Sequence, residues 1–410
     1  MSKIAIVVQR CHPSIVGGSE ALAWQYAGML RERFDVEILT TTAVDYVDWR
    51  EVLPAGCERR DGILVRRFPI TVTRSRYWHE LHARLLSQSP AGANSKADAV
   101  CRGRWTIAMQ EELLRHQGPY CMELNEFVAA HGSAYAAWIF VTYQYPTTYF
   151  AAEQAPPDRR FLVPTLHDEP IAGLDCVRRM ARSMRGIIWL TEAEKRLGRR
   201  IWGEVPGTSV GMAVASEPVE PANLSTPYLL YCGRIDQPKG CVRLIEDFCR
   251  FKRERPSALR LVLTGPSKIE IPQSKEIEYR GLVPDEEKYA LMAGASAFVM
   301  PSPWESFSIA TLEAMAQGTP VIVNGACEVL AEHVALSQAG QAYDDYASFA
   351  SAVSDLLDQP EEWRRRGVLG RDYVCQRYDY QQVRERLLAA LNELDSLPSQ
   401  APVVSAFEGR

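Results

Sequence analysis

The chain has 410 residues, room at roughly 150 per domain for two or three domains with a large core. Its composition, 47% hydrophobic, 24% charged and 9% aromatic, is that of an ordinary folded protein and excludes disordered, collagenous and coiled-coil classes. The net charge of -5, with the acidic excess in the second half, lacks the positive field of a general nucleic-acid binder, so no nucleic-acid partner is expected. The 10 cysteines form no C-x-x-C pair and no Cys/His cluster at zinc spacing, which fits a reducing cytosol. No apolar run approaches the roughly 18 to 20 residues of a membrane span, and residues 4–8 are too short for a signal-peptide core, so a cytoplasmic location is expected.

In chain order, residues 3–9 read as a short buried strand. Gly17-Gly18-Ser19-Glu20 then opens an amphipathic helix to about residue 33, and residues 38–41 form the next strand. Strand, glycine turn, helix, strand is the opening of a doubly wound sheet. Further strands are expected at 63–67, 138–142, 161–166 and 186–190. The stretch 203–227, with Pro206, Pro218, Pro221, Pro227 and small polar residues, suits a linker. Strands then resume at 228–232, 260–264, 297–300 and 320–323, separated by helices such as 242–252 and 307–316. The expected fold is therefore α/β with two Rossmann-like domains, 1–205 and 226–375, facing each other across a cleft. Ligands bind at the carboxyl ends of such sheets, so the site should lie in strand-end loops. Residues 395–410, rich in Pro, Ser and Ala, read as a loose tail.

Two of those loops carry chemistry. After strand 228–232 come Gly233, Arg234, Asp236, Lys239 and Gly240. An arginine fork and a compact lysine charge could hold a diphosphate that gains charge as its bond breaks, although a pair of solvated surface cations has the same sequence. After strand 297–300, prolines stop the strand and a helix starts near Phe307 and ends at Gly318. Its free amides, with the Ser306 and Ser308 hydroxyls, offer an anion site. Glu305 precedes that helix and Glu313 lies inside it, roughly 9 Å along the axis at about 1.5 Å per residue, a separation suited to two ends of one elongated ligand. Leu312, Ala314, Met315 and Ala316 are apolar, which speaks against Glu313 being merely solvated. His167 ends the strand at 161–166 and faces the expected cleft, where it could bond a ligand or simply cap local backbone; Asp168 could orient the ring or cap a helix near Pro170.

Gly233-Arg234 with Lys239-Gly240, then Thr264-Gly265-Pro266, Gly281-Leu282-Val283, and Glu305 and Glu313 in an E-x7-E pattern closely resemble the donor half of GT-B glycosyltransferases of family 4. The resemblance covers about 150 residues with the motifs in order; the first half matches more loosely through Gly17-Gly18, His167-Asp168 and Thr191-Glu192. It implies a retaining transferase that moves a sugar from a nucleotide diphosphate to a glycan or lipid-linked acceptor, in work such as bacterial surface polysaccharide synthesis. It also implies an N-terminal acceptor domain, a C-terminal donor domain, and a final helix at about 376–394 returning to the first domain. His167, Glu305, Arg234 and Lys239 would be catalytic: Glu305 contacting the donor sugar, the two cations neutralising the β-phosphate. Gly17, Gly18, Gly233, Gly265, Leu282, Val283, Ser306, Phe307, Ser308 and Glu313 would bind the donor, Glu313 through the ribose.

The resemblance implies no metal and no cofactor, and the sequence holds no D-x-D to carry a divalent cation. A GT-B epimerase or phosphorylase, or a catalytically silent nucleotide-sugar binding module, is the alternative. A dinucleotide dehydrogenase lacks its G-x-G-x-x-G spacing here. Finally, seven arginines in residues 59–84, together with Tyr77-Trp78-His79, and eight basic residues in 176–200 are either solvated faces or a docking surface for anionic membrane at the inner face.

Overall fold

A computed structural model describes residues 1–15, 17–87 and 105–393; the expected tail at 395–410 lies outside the described residues. The first sheet contains β1 (Lys3–Val7), β2 (Asp35–Thr41), β3 (Gly56–Arg60), β4 (Ile63–Phe68), β5 (Ala137–Val141), β6 (Arg160–Val163), β7 (Gly186–Trp189) and β8 (Gly207–Ser209). Their spatial order is β3-β4-β2-β1-β5-β6-β7-β8, parallel except for the β3–β4 hairpin. The second sheet contains β9 (Tyr228–Cys232), β10 (Arg260–Thr264), β11 (Ile277–Gly281), β12 (Ala297–Met300), β13 (Val321–Asn324) and β14 (Gly340–Tyr343). Its order is β11-β10-β9-β12-β13-β14, and every pairing is parallel.

Both sheets reverse their direction of growth once, between β1 and β5 in the first and between β9 and β12 in the second. Loops leaving the carboxyl ends of strands at such a switch diverge and leave a crevice. The loops at these two points are the ones singled out above: Gly17-Gly18 after β1, Gly233 to Gly240 after β9, and 301–308 after β12. Alternate residues of β1 explain why the sheet is covered on both faces. Ile4, Ile6 and Val8 join one apolar layer, Ala5 and Val7 the other, and all are buried.

The first sheet reaches past residue 205, into the stretch expected to be a linker. Pro206 and Pro218 bracket a segment whose β-branched and small residues pair β8 with β7 and bury Val210 to Val214. Tyr26 donates to the Gly211 carbonyl at 2.7 Å, and Gln25 bonds both the Ala213 carbonyl and its N–H. The returning helix also differs from its expected bounds. The helix Pro360–Arg377 ends at Tyr378, and a second, Tyr380–Glu393, packs on the first-domain helix Gly18–Leu30. Arg384 pairs with Glu32, and Arg386 donates to the Val210 carbonyl at 3.1 Å.

The two domains also meet through helices Glu192–Trp202 and Glu328–Ser337. Arg196 pairs with Glu332 at 2.7 Å, Arg200 with Glu328 at 2.7 Å, and the Ala193 N–H donates to Glu332 at 3.0 Å. Among the described residues, no helix is long and apolar enough to cross a membrane.

Candidate active site

Between the domains lies a cavity of about 920 Å3, near the upper end of the usual range for small-molecule sites. Of the donor-binding candidates, Gly17, Gly18, Gly233, Gly265, Leu282, Val283 and Glu313 line it, and so does Arg234. At Gly17, which is extended, a Cβ would lie 2.1 Å from the side-chain Oε2 of Glu20; glycine is required where backbones crowd. Gly265 has φ +118°, and a Cβ on it would meet the Gly233 carbonyl at 2.0 Å, so the loops after β9 and β10 touch only because this residue has no side chain.

The cations are grouped differently from the expected Arg234–Lys239 pair. Arg234 Nη1 and Lys268 Nζ both donate to the hydroxyl oxygen of Tyr46, at 2.6 and 2.7 Å. Arg10 and Arg234 also lie over the Tyr46 ring, 5.3 and 5.1 Å from its centroid. Burial pushes the Tyr46 phenol up, but the Lys268 hydrogen bond and the Arg234 charge outweigh it and hold the pKa below the ordinary value. Two cations converging on one oxygen form a seat for an anion. Lys268 lies two residues beyond the Gly265-Pro266 motif; Tyr46 comes from a first-domain loop without any motif, so nothing in the sequence pointed to it.

Lys239 instead pairs with Glu305 at 2.6 Å, joining the loops after β9 and β12. His167 feels the charges of both Glu305 and Lys239, and none of the three lines the cavity. Burial holds its ring below the usual histidine pKa against the pull of Glu169 and Glu305, so it is neutral near pH 7 and keeps one acceptor nitrogen. Thr191 Oγ1 donates to the Ser306 carbonyl at 3.4 Å, a further link across the domains.

His167 is held from below by Glu194. One carboxylate oxygen accepts the Leu166 N–H at 2.6 Å and the other the Leu190 N–H at 2.6 Å, tying together the chain just beyond the ends of β6 and β7. Burial pushes this carboxyl up to about 8, against the lowering effect of the backbone N–H groups of Leu190, Leu166 and Thr191. Glu194→Ala leaves both amides unpaired, at about 1–3 kcal/mol each. A clearly lowered Tm with Glu194→Gln intermediate is the expected result; an unchanged Tm in Glu194→Ala contradicts this role.

Glu313 is buried, and its Oε1 accepts from Lys288 Nζ at 3.1 Å and from the Tyr289 hydroxyl at 2.9 Å. Burial opposes the Lys288 charge, yet Glu313 and Asp285 raise its pKa; Tyr289 is pushed up to about 12 by burial and by Glu313. A carboxylate fixed in this way can accept hydroxyl groups of a ligand without reorganising. Both partners sit on the helix Asp285–Gly294, directly after the Leu282-Val283 motif.

The expected anion site at the next helix is only partly formed. The helix is Ile309–Ala316, and Ile309 and Ala310 face the cavity, but Ser306, Phe307 and Ser308 do not line it. Ser308 is left-handed, φ 61°, and its buried hydroxyl bonds Thr311 Oγ1 at 2.9 Å. This turn sends Phe307 into an aromatic cluster with His333 and Tyr378.

His333 Nε2 bonds the Phe307 carbonyl at 3.0 Å and Nδ1 the Tyr373 hydroxyl at 3.0 Å, anchoring the end of the Glu305 loop. Burial lowers its pKa to about 4. The neutral ring is the folded form, so its stabilisation is complete above the unfolded value near 6.5 and is lost as pH falls through about 4. The loss amounts to roughly 3 kcal/mol. Chemical denaturation at pH 7 and pH 4 should show a smaller acid-induced loss in His333→Gln than in the parent; equal losses refute it.

Among the described residues, no cluster of three or more His, Cys, Asp or Glu is arranged to hold a metal ion. Residues 226–359, which contain β9 to β14, match the family model described as glycosyl transferases group 1. The solved structure of sucrose-phosphate synthase from Thermosynechococcus elongatus superposes with a TM-score of 0.70 at 17% identity, over 96% of this chain and 99% of that one. The chain has the GT-B fold. The chain also resembles glycogen synthase of Mycobacterium tuberculosis, 32% identical over 166 residues, 38% of this chain and 40% of the relative. A GDP-mannose-dependent phosphatidylinositol dimannoside mannosyltransferase of the same species is 27% identical over 172 residues, 40% of this chain and 44% of the relative. The matches thus span less than half the length of these curated relatives. The GT-B frame accounts for the cleft's position between the two switch points.

Proposed function

We propose that the chain is a glycosyltransferase that moves a sugar, with retention of anomeric configuration and without a metal, from a nucleoside diphosphate sugar to a glycan or lipid-linked acceptor. The observation that carries this reading is the meeting, at one switch-point cleft, of the Arg234–Lys268 anion seat and the pre-fixed Glu313 carboxylate, with the Lys239–Glu305 pair joining the loops after β9 and β12. In it, Glu313 takes the ribose hydroxyls, Arg234 and Lys268 take the diphosphate, and Glu305 with His167 places the sugar. In the transfer the bond between the anomeric carbon and the β-phosphate oxygen breaks, the acceptor oxygen bonds that carbon, and the acceptor proton leaves with the diphosphate. Fixed cations facing the departing oxygen are worth more as its charge grows than in the bound donor.

The group 1 match of residues 226–359 and the transferases among the relatives support this reading over a nucleotide-sugar epimerase or a silent binding module. Its test is a panel of nucleotide sugars and saccharide acceptors. Acceptor-dependent release of nucleoside diphosphate, with the product anomer read by NMR, is expected. Turnover without acceptor consumption, or binding without turnover, would replace it with one of the alternatives.

A cytoplasmic enzyme serving surface polysaccharide synthesis at the inner membrane face is the setting this reading favours. On the helix Arg76–Ser87, Arg76, Tyr77 and Leu86 remain exposed, whereas Arg74 lies over the Trp78 ring at 4.6 Å and Trp78 stacks on His82. Salt-sensitive sedimentation with anionic vesicles is expected; no binding at low salt leaves this a solvated face.

A further inference from the structure

The first-domain wall of the cleft has chemistry that the donor does not use. On the β3–β4 hairpin, Glu58 pairs across the strands with Val65, and Arg60 and Arg67 flank that pair. All four residues line the cavity, together with Trp24 and His12. They are the residues of one hairpin face, since side chains alternate along a strand.

The two arginines are held in different ways, Arg67 by burial and Arg60 by stacking. Arg67 is 95% buried at 5% exposure; its Nη2 donates to Glu58 at 2.6 Å and reaches the Cys11 carbonyl at 3.4 Å, while its Nε is buried without a partner. A buried guanidinium N–H left unpaired is costly, unless a ligand completes it. Arg60 lies over the Trp24 indole, 5.5 Å from the ring, and its nearest carboxylate is the exposed Asp61 at 3.7 Å. Its fork is thus oriented by stacking while most of its donors stay available. Each guanidinium has one carboxylate, Glu58 for Arg67 and Asp61 for Arg60, and each keeps further N–H donors. The wall therefore combines an aromatic platform, two guanidiniums on one hairpin face and an unfilled donor.

From this wall we infer that the acceptor is an anionic saccharide, whose phosphate or carboxylate group docks at Arg60 and Arg67 beside Trp24. The inference rests on the transfer reading only in naming this molecule the acceptor. Guanidinium forks match the spacing of phosphate and carboxylate oxygens, and an indole face accepts the apolar face of a sugar ring. Glu58 and His12 remain to bond hydroxyl groups, which a site built for a bare anion would not need.

The test is calorimetry on the full chain with glucose 6-phosphate, glucuronate, glucose and inorganic phosphate, each with and without saturating nucleoside diphosphate to fill the Arg234–Lys268 seat. The phosphate or the carboxylate sugar should bind about tenfold or more tighter than glucose, as expected for a charged hydrogen-bonded group. Whichever binds tighter identifies the anion, and inorganic phosphate should compete with it. Arg60→Ala should abolish the preference while leaving nucleoside diphosphate affinity within about twofold, since that ligand has separate contacts. Arg67→Lys, which keeps the buried charge but loses the fork, should reduce it as well. Charged and neutral sugars that bind alike, no binding by either, or a preference that survives both variants overturns the inference. Failure to bind any nucleoside diphosphate overturns the transfer reading instead, and the dependence on Arg60 is still read without nucleotide.

Discussion

Arg234→Ala is expected to slow turnover at saturating donor about a hundredfold or more, since removing one donor from a comparable oxyanion site costs about 2.7–4 kcal/mol. Lys268→Ala should produce an effect of similar kind, because both side chains reach the same Tyr46 oxygen. This moves the expected partner of Arg234 from Lys239 to Lys268. Lys239→Ala should act differently: it leaves Glu305 without the 2.6 Å partner that holds it and should disturb sugar placement. A chelator should leave the parent rate unchanged, because the charge is carried by side chains. Normal turnover in both Arg234→Ala and Lys268→Ala, or loss of activity on chelation with recovery on adding magnesium, contradicts this assignment.

The second large effect separates the two glutamates. Glu313→Ala should weaken nucleoside diphosphate binding by roughly ten- to a hundredfold, the equivalent of about 1.5–3 kcal/mol for a hydrogen bond to a charged group. Lys288 and Tyr289 would also lose their shared acceptor. Glu305→Ala should leave diphosphate affinity nearly unchanged but lower transfer by about a hundredfold or more, since its contribution arises at the reacting sugar. Calorimetry and steady-state kinetics on the same folded variants decide between these roles. A folded Glu313→Ala protein with unchanged diphosphate affinity removes the ribose assignment; unaltered transfer in Glu305→Ala removes the other. The His167→Ala variant belongs with Glu305, with turnover lost at a preserved Tm, because the backbone there is fixed by Glu194 and not by the imidazole.

The central strands were legible because they are buried on both faces and read as short apolar runs. The edge strands were not. β3, Gly-Cys-Glu-Arg-Arg, is mostly exposed, and β11 alternates charge with partly buried residues, so neither carries an apolar signal. β14 starts at Gly340, where a Cβ would lie 1.8 Å from the Val321 carbonyl, a closeness no sequence pattern announces. β8 was hidden by the prolines around it.

Gly17, Gly18, Gly233, Arg234, Gly265, Leu282 and Val283 line the cavity because motif and switch point coincide. Lys268, Lys288 and Tyr289 lie within a few positions of those motifs and were passed over. Tyr46 reaches the cavity because its loop meets Arg234 and Lys268 of the second domain, and Arg60 and Arg67 because their hairpin face borders it, which are tertiary facts. The displacement of Phe307 came from one left-handed residue, Ser308, which starts the helix two positions later than the apolar pattern suggests.

The central claim is that this cleft binds a nucleoside diphosphate through Arg234, Lys268 and Glu313. The most direct measurement is thermal denaturation of the parent and of Glu313→Ala against a panel of nucleoside diphosphates and their sugars. A ligand at about 100 times its Kd should stabilise the parent by about 2.7 kcal/mol. The account predicts a raised Tm for at least one member, largely lost in Glu313→Ala at the same concentration. No stabilisation of the parent by any member, or equal stabilisation of both proteins, would contradict it.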